Sequence, residues 1–171
     1  MLALLADTHR TEDAGLVGRT ATAVAEAEAL VHAGDFTTPA VHAAVEDAAA
    51  GADARLYGVH GNSDAPALRE RLPASRTVEA LDRRFVVVHG HEHDRTALSL
   101  LARQEDADCV VVGHTHRPGI GTVGDVTLVN PGSHADPRGG PATHGEVRRR
   151  GETVAVAIVG GDGERRAIGQ V

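Results

Sequence analysis

The sequence has no lysine and no tryptophan, one cysteine and only three aromatic residues, and each shortage excludes a class of function. Without lysine the chain cannot form a P-loop, because that phosphate-binding motif requires one. All 17 basic residues are arginine, and against 24 acidic residues they leave a formal charge of −7. A general nucleic-acid-binding surface needs a basic face, so none is expected. Phe36, Tyr57 and Phe85 are too few to form a stacking platform for bases or sugars.

The single cysteine and the apolar start of the chain are informative about cellular context. Cys109 lies inside the apolar run DCVVVG, so we expect a buried small hydrophobe rather than a nucleophile, and no disulfide can form within one chain. The opening MLALLADTH is apolar for only six residues and lacks a basic leader, which predicts a strand rather than a signal peptide. No apolar run is long enough to cross a bilayer, so we expect a cytoplasmic protein without a membrane partner.

The lysine-free, acidic and aromatic-poor composition has two explanations that the sequence leaves equally open. It resembles that of proteins from salt-adapted cytoplasms, a halophilic-type composition. A GC-rich genome that favours alanine, glycine and arginine codons explains it as well.

The order of apolar patterns predicts an α/β domain that spans residues 1–171. Apolar strands alternate with amphipathic helices in the first part of the chain, and Thr38 before Pro39 is typical of a helix start. Strands are predicted at 1–6, 29–35, 55–61, 85–90 and 109–114, and helices at 14–30, 38–50, 65–72 and 96–104. Residues 123–133 and 153–171 alternate apolar and polar residues around turns, which predicts antiparallel hairpins, and 135–145 is predicted to be a loop. We therefore expect a parallel first half and an antiparallel second half.

Histidine, aspartate and asparagine follow the predicted strands at nearly equal intervals. The motifs DTH, HAGD, GNSD, HGH and GHTH each come directly after an apolar run, 25 to 27 residues apart. Each interval is about one strand–helix unit, so the motifs should meet at the carboxyl edge of the sheet, where ligands bind in open α/β folds. The motifs contribute seven oxygen and nitrogen donors: Asp7, His9, Asp35, Asn62, His89, His114 and His116. The other histidines, His32, His42, His93 and His144, are expected to lie on the surface without a role.

The chemistry of these donors favours a metal centre over a nucleophilic site. No serine or cysteine lies in a nucleophile-elbow motif. Carboxylate, imidazole and amide ligands without thiolate suit Mn²⁺, Fe²⁺, Zn²⁺, Ni²⁺ or Co²⁺. Seven donors exceed the need of one four-coordinate ion, whereas two ions that share a carboxylate would use them all.

In this order the five motifs resemble those of the calcineurin-like metallophosphoesterase superfamily. The short chain and the segment NPGSHADPR at 130–138 are similar to its compact, single-domain phosphodiesterase branch. The resemblance covers residues 1–138. It implies a four-layer αββα sandwich of two mixed β-sheets flanked by helices.

The resemblance also implies a role for each ligand. Asp7, His9 and His116 would hold one ion, Asn62, His89 and His114 the second, and Asp35 would bridge the two. Two cations roughly 3.5–4 Å apart would hold a bridging hydroxide that attacks phosphorus in line. Mn²⁺ is the expected metal, and the expected activity is that of a phosphodiesterase acting on a small phosphoester.

Three residues near the ligands are assigned catalytic roles. Asn62 supplies a neutral oxygen ligand, and Asp64 is expected to be an orienting carboxylate behind the ligands rather than a ligand itself. His91 is either a group that stabilises or protonates the substrate or a support for the ligands. Many members of the superfamily have histidine as proton donor where this chain has Ser63, whereas the compact branch commonly has a small residue there. A serine hydroxyl is a weak acid, so we expect a preference for esters with good leaving groups. Asn130 and Ser133 are expected to close a supporting turn, and Arg138 either binds a phosphate or faces solvent.

Two alternatives come from other classes of protein. Relatives of the compact branch include a subunit of an endosomal sorting coat that uses the fold to bind partner proteins, so a non-catalytic scaffold is the second hypothesis. It predicts lost ligands, whereas all seven are present. A DNA-processing nuclease is not supported, because the chain lacks a capping domain, a basic groove and a histidine at position 63. A homodimer remains open for a chain of this size.

Overall fold

The computed structural model describes residues 1–171 and contains eleven strands and four helices. The strands are β1 (Leu2–Leu5), β2 (Ala29–His32), β3 (Arg55–Gly58), β4 (Ser75–Ala80), β5 (Arg83–Val88), β6 (Cys109–Val111), β7 (Gly119–Val123), β8 (Val126–Asn130), β9 (Thr143–Arg150), β10 (Thr153–Gly160) and β11 (Arg165–Gln170). The helices are α1 (Gly18–Ala25), α2 (Pro39–Gly51), α3 (Pro66–Arg71) and α4 (Arg95–Gln104).

The strands form two mixed sheets. The six-stranded sheet has the order β11-β10-β9-β1-β2-β3, and the five-stranded sheet has the order β4-β5-β6-β8-β7. In the first sheet β1, β2 and β3 are parallel, and in the second β5, β6 and β8 are parallel. Antiparallel strands flank each parallel core. The expected division into a parallel and an antiparallel half of the chain is therefore wrong, because each sheet contains both kinds of pairing.

The two sheets pack face to face with helices on the outer faces, which confirms the αββα sandwich. Leu2 and Leu4 of β1 point into the core between the sheets, where they join Phe85 and Val87 of β5. The alternate residues of β1 pack under α1 and α2, and Val86 and Val88 of β5 pack under α4. Because both faces of these strands are buried, their sequences are continuous apolar runs rather than alternating ones.

Helix boundaries follow local signals in two cases. Thr38 caps α2, and its hydroxyl accepts a hydrogen bond from the N–H of Val41 at 3.3 Å, with Pro39 in the first turn as predicted. The helix predicted at 14–30 is shorter, because Gly18 has φ +54°, a left-handed conformation from which α1 begins. The chain leaves α1 at Glu26 and enters β2 at Ala29.

Two strands are absent from the sequence prediction, and a third, β7, shares only Val123 with the predicted hairpin at 123–133. β4 is an edge strand with one buried apolar residue, Val78. β9 lies in the middle of its sheet and has one buried apolar side chain, Val147, which follows the buried polar residues His144 and Glu146. The expected loop at 135–145 therefore ends where β9 begins, at Thr143. Neither strand shows the apolar alternation by which strands are recognised in a sequence.

Candidate metal centre

The seven predicted ligands come together where the carboxyl ends of the parallel strands of both sheets meet. Asp7 and His9 follow β1, Asp35 follows β2, Asn62 follows β3, His89 follows β5, and His114 and His116 follow β6. Strand order and ligand position thus agree with the rule that open α/β sheets bind ligands at this edge.

The first group of ligands consists of Asp7, His9 and His116. One ligand atom from each lies within 4.8 Å of the others. The imidazoles of His9 and His116 stack with their centroids 4.9 Å apart. Asp7 Oδ2 and His116 Nε2 are buried without a hydrogen-bond partner in the protein. A buried carboxylate oxygen and a buried ring nitrogen without partners are costly unless a cation binds them, so these atoms fit a metal ion.

The second group is centred on His89. Ligand atoms of Asp7, Asp35 and His89 lie within 4.8 Å of one another, and Asn62 Oδ1 lies 3.1 Å from His89 Nε2. The ring of His114 is exposed and lies edge-on to His89, with centroids 5.3 Å apart. The backbone N–H of His114 donates to Asp7 Oδ1 at 2.9 Å. The donor set is again oxygen and nitrogen without sulfur, which suits a divalent transition metal.

Asp35 lies between the two groups. Its Oδ2 is 3.1 Å from His9 Nε2 and 3.2 Å from His89 Nε2, and its Oδ1 accepts a hydrogen bond from the N–H of Ser63 at 2.8 Å. Burial would raise the pKa of Asp35, but the contacts with His89 and His9 outweigh it and lower that pKa well below its usual range. Asp35 is therefore a carboxylate at neutral pH, in contact with one histidine of each group.

Asp7 is in the opposite electrostatic situation. Burial raises its pKa, and the nearby charge of Asp35 adds to the effect. Contact with the Asp35 carboxylate raises the pKa of His9, and the same contact raises the pKa of His89 despite the opposing effect of its burial. Two carboxylates so close together need positive charge between them, which the two histidines supply here and a cation would supply better.

Five of the seven ligands have a left-handed backbone. The φ values are 53° for Asp7, 45° for His9, 60° for Asp35, 67° for His114 and 56° for His116. This conformation is uncommon for residues other than glycine, and it clusters at functional sites because the surrounding structure must enforce it. The fold therefore directs these side chains into the centre at a cost in backbone strain.

Backbone carbonyls fix the orientation of two ligand histidines. His89 Nδ1 donates to the carbonyl of Ala33 at 2.8 Å, and His116 Nδ1 donates to the carbonyl of Asp136. A carbonyl only accepts, so Nδ1 carries a proton in each ring, and Nε2 is the nitrogen that faces the centre and that a metal would bind in place of a proton. Carbonyl partners of this kind leave no trace in a sequence, and sequence reasoning did not find them.

The predicted supporting turn at Asn130 and Ser133 is confirmed. Ser133 Oγ donates to the carbonyl of Asp7 at 2.7 Å. Asn130 Nδ2 donates to the carbonyl of Gly113 at 2.8 Å, and Asn130 Oδ1 accepts from Gly132 at 2.8 Å. The turn thereby holds the loops after β1 and β6 together.

Asp64 does not point into the centre. Its Oδ2 accepts from the N–H groups of Gly61 at 2.7 Å and Asp35 at 3.1 Å, and its Oδ1 accepts from Thr37 at 2.7 Å. Gly61 is required at its position, since a Cβ atom there would lie 2.7 Å from the backbone nitrogen of Asp35. Asp64 thus holds the loop after β2 against the loop after β3.

Arg69 of α3 holds the other side of the GNSD loop, and sequence reasoning did not find it. Its Nε donates to the carbonyl of Asp64 at 2.8 Å, and one terminal nitrogen donates to the carbonyl of Asn62 at 2.7 Å. The only sequence signal is an arginine in the short helix that follows a ligand loop. Arginines are too common in such positions for the sequence to identify this role.

His91 and Ser63 lie beside the ligands. The ring of His91 has its centroid 5.3 Å from that of His89 and 6.1 Å from that of His114. Burial lowers the pKa of His91, and its Nδ1 has no partner. The Ser63 side chain is exposed, and Asn62 Nδ2 lies 3.4 Å from its hydroxyl. Arg138 is exposed and contacts Asp136 at 3.5 Å.

The expectation that the remaining histidines lie on the surface is wrong for three of them. His32, His42 and His144 are buried. His32 contacts the hydroxyl of Thr8 at 2.8 Å and stacks on Phe36, whereas His144 lies between Thr20 and Glu146. The partners Thr8 of His32 and Thr20 of His144 lie far from them along the chain, and a single sequence does not reveal such contacts. Cys109 is buried as predicted, and burial raises the pKa of its thiol.

None of the four helices has the length and apolar character that a bilayer crossing requires.

Comparison with known proteins supports the identification that the site suggests. A probable metallophosphoesterase of Methanothermobacter thermautotrophicus is 32% identical over 142 residues, which is 81% of this chain and 79% of that protein. A phosphodiesterase of Methanocaldococcus jannaschii is 29% identical over 116 residues, or 61% of this chain and 66% of that protein. The structure of Vps29 from Entamoeba histolytica in complex with Zn²⁺ has a TM-score of 0.74 at 18% identity, over 99% of this chain and 97% of that one. The family model for the calcineurin-like phosphoesterase superfamily domain matches residues 1–150, and the chain belongs to this superfamily.

Proposed function

We propose that the protein is a dinuclear metal-dependent phosphodiesterase. The observation that carries the proposal is the position of Asp35 Oδ2, which lies 3.1 Å from His9 and 3.2 Å from His89. One oxygen atom thus reaches a ligand of each group, as a carboxylate shared by two cations must. The unpartnered atoms Asp7 Oδ2 and His116 Nε2 support the same assignment.

The proposed ligand set divides as the motifs suggest, with one addition. One cation would be bound by Asp7, His9 and His116. The other would be bound by His89, Asn62 and His114, and both would share Asp35. Asp7 also lies within reach of the second group. Mn²⁺ is the metal that we expect, and the same donors accept Fe²⁺, Zn²⁺, Ni²⁺ and Co²⁺. Two bound divalent cations would supply a nucleophile from water at neutral pH and charge stabilisation for the phosphoryl oxygens.

The remaining polar groups bind and orient the substrate in this proposal. Asn62 presents its amide oxygen without a further negative charge that would repel an anionic ester. His91, whose pKa burial lowers, faces the centre as a neutral imidazole at pH 7 and can donate a hydrogen bond to a phosphoryl oxygen. No histidine stands at position 63, so the leaving oxygen has no strong general acid from the GNSD loop. Esters with good leaving groups are therefore the preferred substrates.

We extend the proposal to one domain over residues 1–171. Residues 151–171 lie outside the matched region, but β10 and β11 continue the same sheet as β1. Val156 and Ile158 of β10 are buried in the core between the two sheets. The C-terminal hairpin thus completes the sandwich that carries the centre.

A non-catalytic scaffold is the second candidate, because a solved structure of similar fold bears the name Vps29. That structure is described as a zinc complex, so metal binding alone does not separate a scaffold from an enzyme. Turnover does. If the metal-loaded protein binds two ions and hydrolyses neither phosphomonoesters nor phosphodiesters, the scaffold hypothesis replaces the enzyme.

The decisive experiment compares the wild-type protein with Asp35→Asn. Apoprotein is reloaded with Mn²⁺, bound metal is counted by calorimetry and elemental analysis, and hydrolysis of bis(p-nitrophenyl) phosphate is followed. We expect about two ions and steady hydrolysis for the wild type, and a loss of at least one ion and of activity for Asp35→Asn. Asp125→Asn, at an exposed acid in the turn between β7 and β8, is the control. Full activity of Asp35→Asn would exclude the shared carboxylate.

A further inference from the structure

An apolar groove lies beside the metal centre on the helix-covered face of the five-stranded sheet. Its volume is about 360 Å³, which is within the range of small-molecule sites. Leu98 of α4 and Leu128 of β8 contribute to its walls, and Gly119 and Gly121 of β7 lie along one side. We call these residues, with their neighbour Val112, the ring groove.

The groove exists because β7 has glycine at alternate positions. Gly119 and Gly121 point to the same face of the strand, and Leu128 is the partner of Gly121 across the β7–β8 pair. A Cβ atom added at either glycine would meet no other atom within 4 Å. Any larger residue at these positions would therefore project into the open space without displacing the fold.

The inner end of the ring groove lies next to the metal centre. His114, a proposed ligand, and Gly113 line both. A Cβ atom on Gly113 would lie 3.1 Å from Asp7 Oδ2, so the backbone at the inner end of the groove is in contact with the first metal group. A group that occupied the groove would therefore lie beside a phosphoryl group held at the centre.

The charges around the groove suit an anionic ester with an apolar arm. None of the 13 lining residues is acidic, and the ionisable ones are His93, His114 and Arg117. Arg117 is exposed at the rim, whereas Leu98 is buried at the helix side. A phosphate is attracted to the rim, and an apolar ring loses contact with water along the wall.

We propose that the ring groove binds a flat, apolar ring on one arm of the phosphoester, and so selects diesters that carry such a ring. The inference deepens the proposed function, on which it rests for the site of the phosphoryl group. It assigns the groove residues a role in specificity and none in the chemical step.

The test measures binding and does not require turnover. The probes are phenylphosphonate and methylphosphonate, because their P–C bonds are not hydrolysed and both present the same anionic head to the metals. Each is titrated into the Mn²⁺-loaded protein by calorimetry. We expect the wild type to bind phenylphosphonate at least tenfold more tightly than methylphosphonate. Equal affinity for the two probes would overturn the proposal.

The variant Gly121→Phe fills the groove from within. We expect this variant to bind phenylphosphonate and methylphosphonate with affinities that differ by less than twofold. Its affinity for methylphosphonate should stay within twofold of the wild-type value. Thr122→Leu is the matched control, since it adds an apolar side chain to the opposite face of the same strand, where Thr122 is exposed. A tenfold ratio that persists in Gly121→Phe would overturn the proposal, and Gly119→Leu repeats the measurement if Gly121→Phe does not fold.

The outcomes also separate this proposal from the proposed function. Probe discrimination without hydrolysis of any ester would support the groove and contradict the enzyme. The opposite outcome has two parts: the wild type and Gly121→Phe hydrolyse bis(p-nitrophenyl) phosphate with identical KM, and the two probes bind with equal affinity. It would support the enzyme and contradict the groove.

Discussion

The carboxylate of Asp64 accepts a hydrogen bond from the backbone N–H of Asp35 at 3.1 Å, so one acidic side chain fixes the loop that carries another. Asp64 is buried, and its two oxygens accept three backbone N–H groups in total. It contacts none of the atoms that would face a metal. Asp64 is therefore a positioning residue, and the consequences of its loss should appear in metal binding before they appear in chemistry.

Asp64→Asn should weaken metal binding. The amide keeps the size of the side chain but turns one acceptor into an NH₂ group that faces a backbone N–H. Leaving a buried donor without a partner costs about 1–3 kcal/mol. We expect roughly tenfold weaker Mn²⁺ binding by calorimetry and a lower melting temperature. Asp125→Asn, in the exposed turn between β7 and β8, is the control and should change neither. Wild-type affinity in Asp64→Asn would show that the loops are held by other contacts.

Arg69→Gln should loosen the GNSD loop from its other side. The guanidinium donates to the carbonyls of Asn62 and Asp64, and hydrogen bonds from a charged donor contribute about 1.5–3 kcal/mol. We expect one of the two Mn²⁺ ions to bind roughly tenfold more weakly, while the other binds as in the wild type. The matched control is Arg71→Gln in the same helix, since Arg71 is exposed and contacts only Glu46, at 3.4 Å. Equal effects of the two substitutions would mean a general loss of charge rather than a loss of loop position.

The part of the centre that was predictable from the sequence is the part that depends on strand ends. His89 and His114 could be placed at one edge because parallel strands end on the same side. His89 directly follows a four-residue apolar run, and His114 follows another after one glycine. The strained backbone of Asp7 and Asp35 was not predictable, since no glycine or asparagine marks the left-handed conformation there. It is imposed by long-range contacts, such as the one from Ser133 to the carbonyl of Asp7.

The same distinction explains the errors in the fold. β5 and β6 are buried on both faces, so their sequences are apolar and recognisable. β9 is equally central, but its buried positions include His144 and Glu146, which are stabilised by Thr20 and Arg19 from α1. Polar residues that are buried with distant partners look like surface residues in a single sequence. The apolar pattern therefore identifies strands stabilised by hydrophobic burial and misses those that rely on a polar network.

His134 should make the protein less stable as the pH falls from about 6.5 to 4. Burial lowers its pKa from the usual 6.5 to about 4, and its Nε2 donates to the carbonyl of Ala14 at 2.8 Å. Between these two pH values the unfolded chain takes up a proton that the folded protein does not, so stability is full above pH 6.5 and is lost as the pH decreases. The total loss from this one group is on the order of 3 kcal/mol. We expect His134→Gln to reduce the slope of unfolding free energy against pH in urea melts by about one proton over this interval. An unchanged slope would mean that His134 is protonated in the folded state.

Ser63→His should extend the range of esters that the protein hydrolyses. Ser63 donates its backbone N–H to Asp35, and its exposed hydroxyl has only a long contact, 3.4 Å, with Asn62 Nδ2. An imidazole can therefore replace the hydroxyl with little effect on the ligands. General acid catalysis typically contributes about 10²- to 10⁴-fold, and it matters most when the leaving group is poor. We expect kcat for diphenyl phosphate to rise roughly tenfold or more, with little change for bis(p-nitrophenyl) phosphate, whose leaving group needs no proton. Metal content should remain at the wild-type value in both assays. Ser63→Ala is the control and should match the wild type on both esters, and a large loss in Ser63→Ala would assign the hydroxyl a catalytic role of its own.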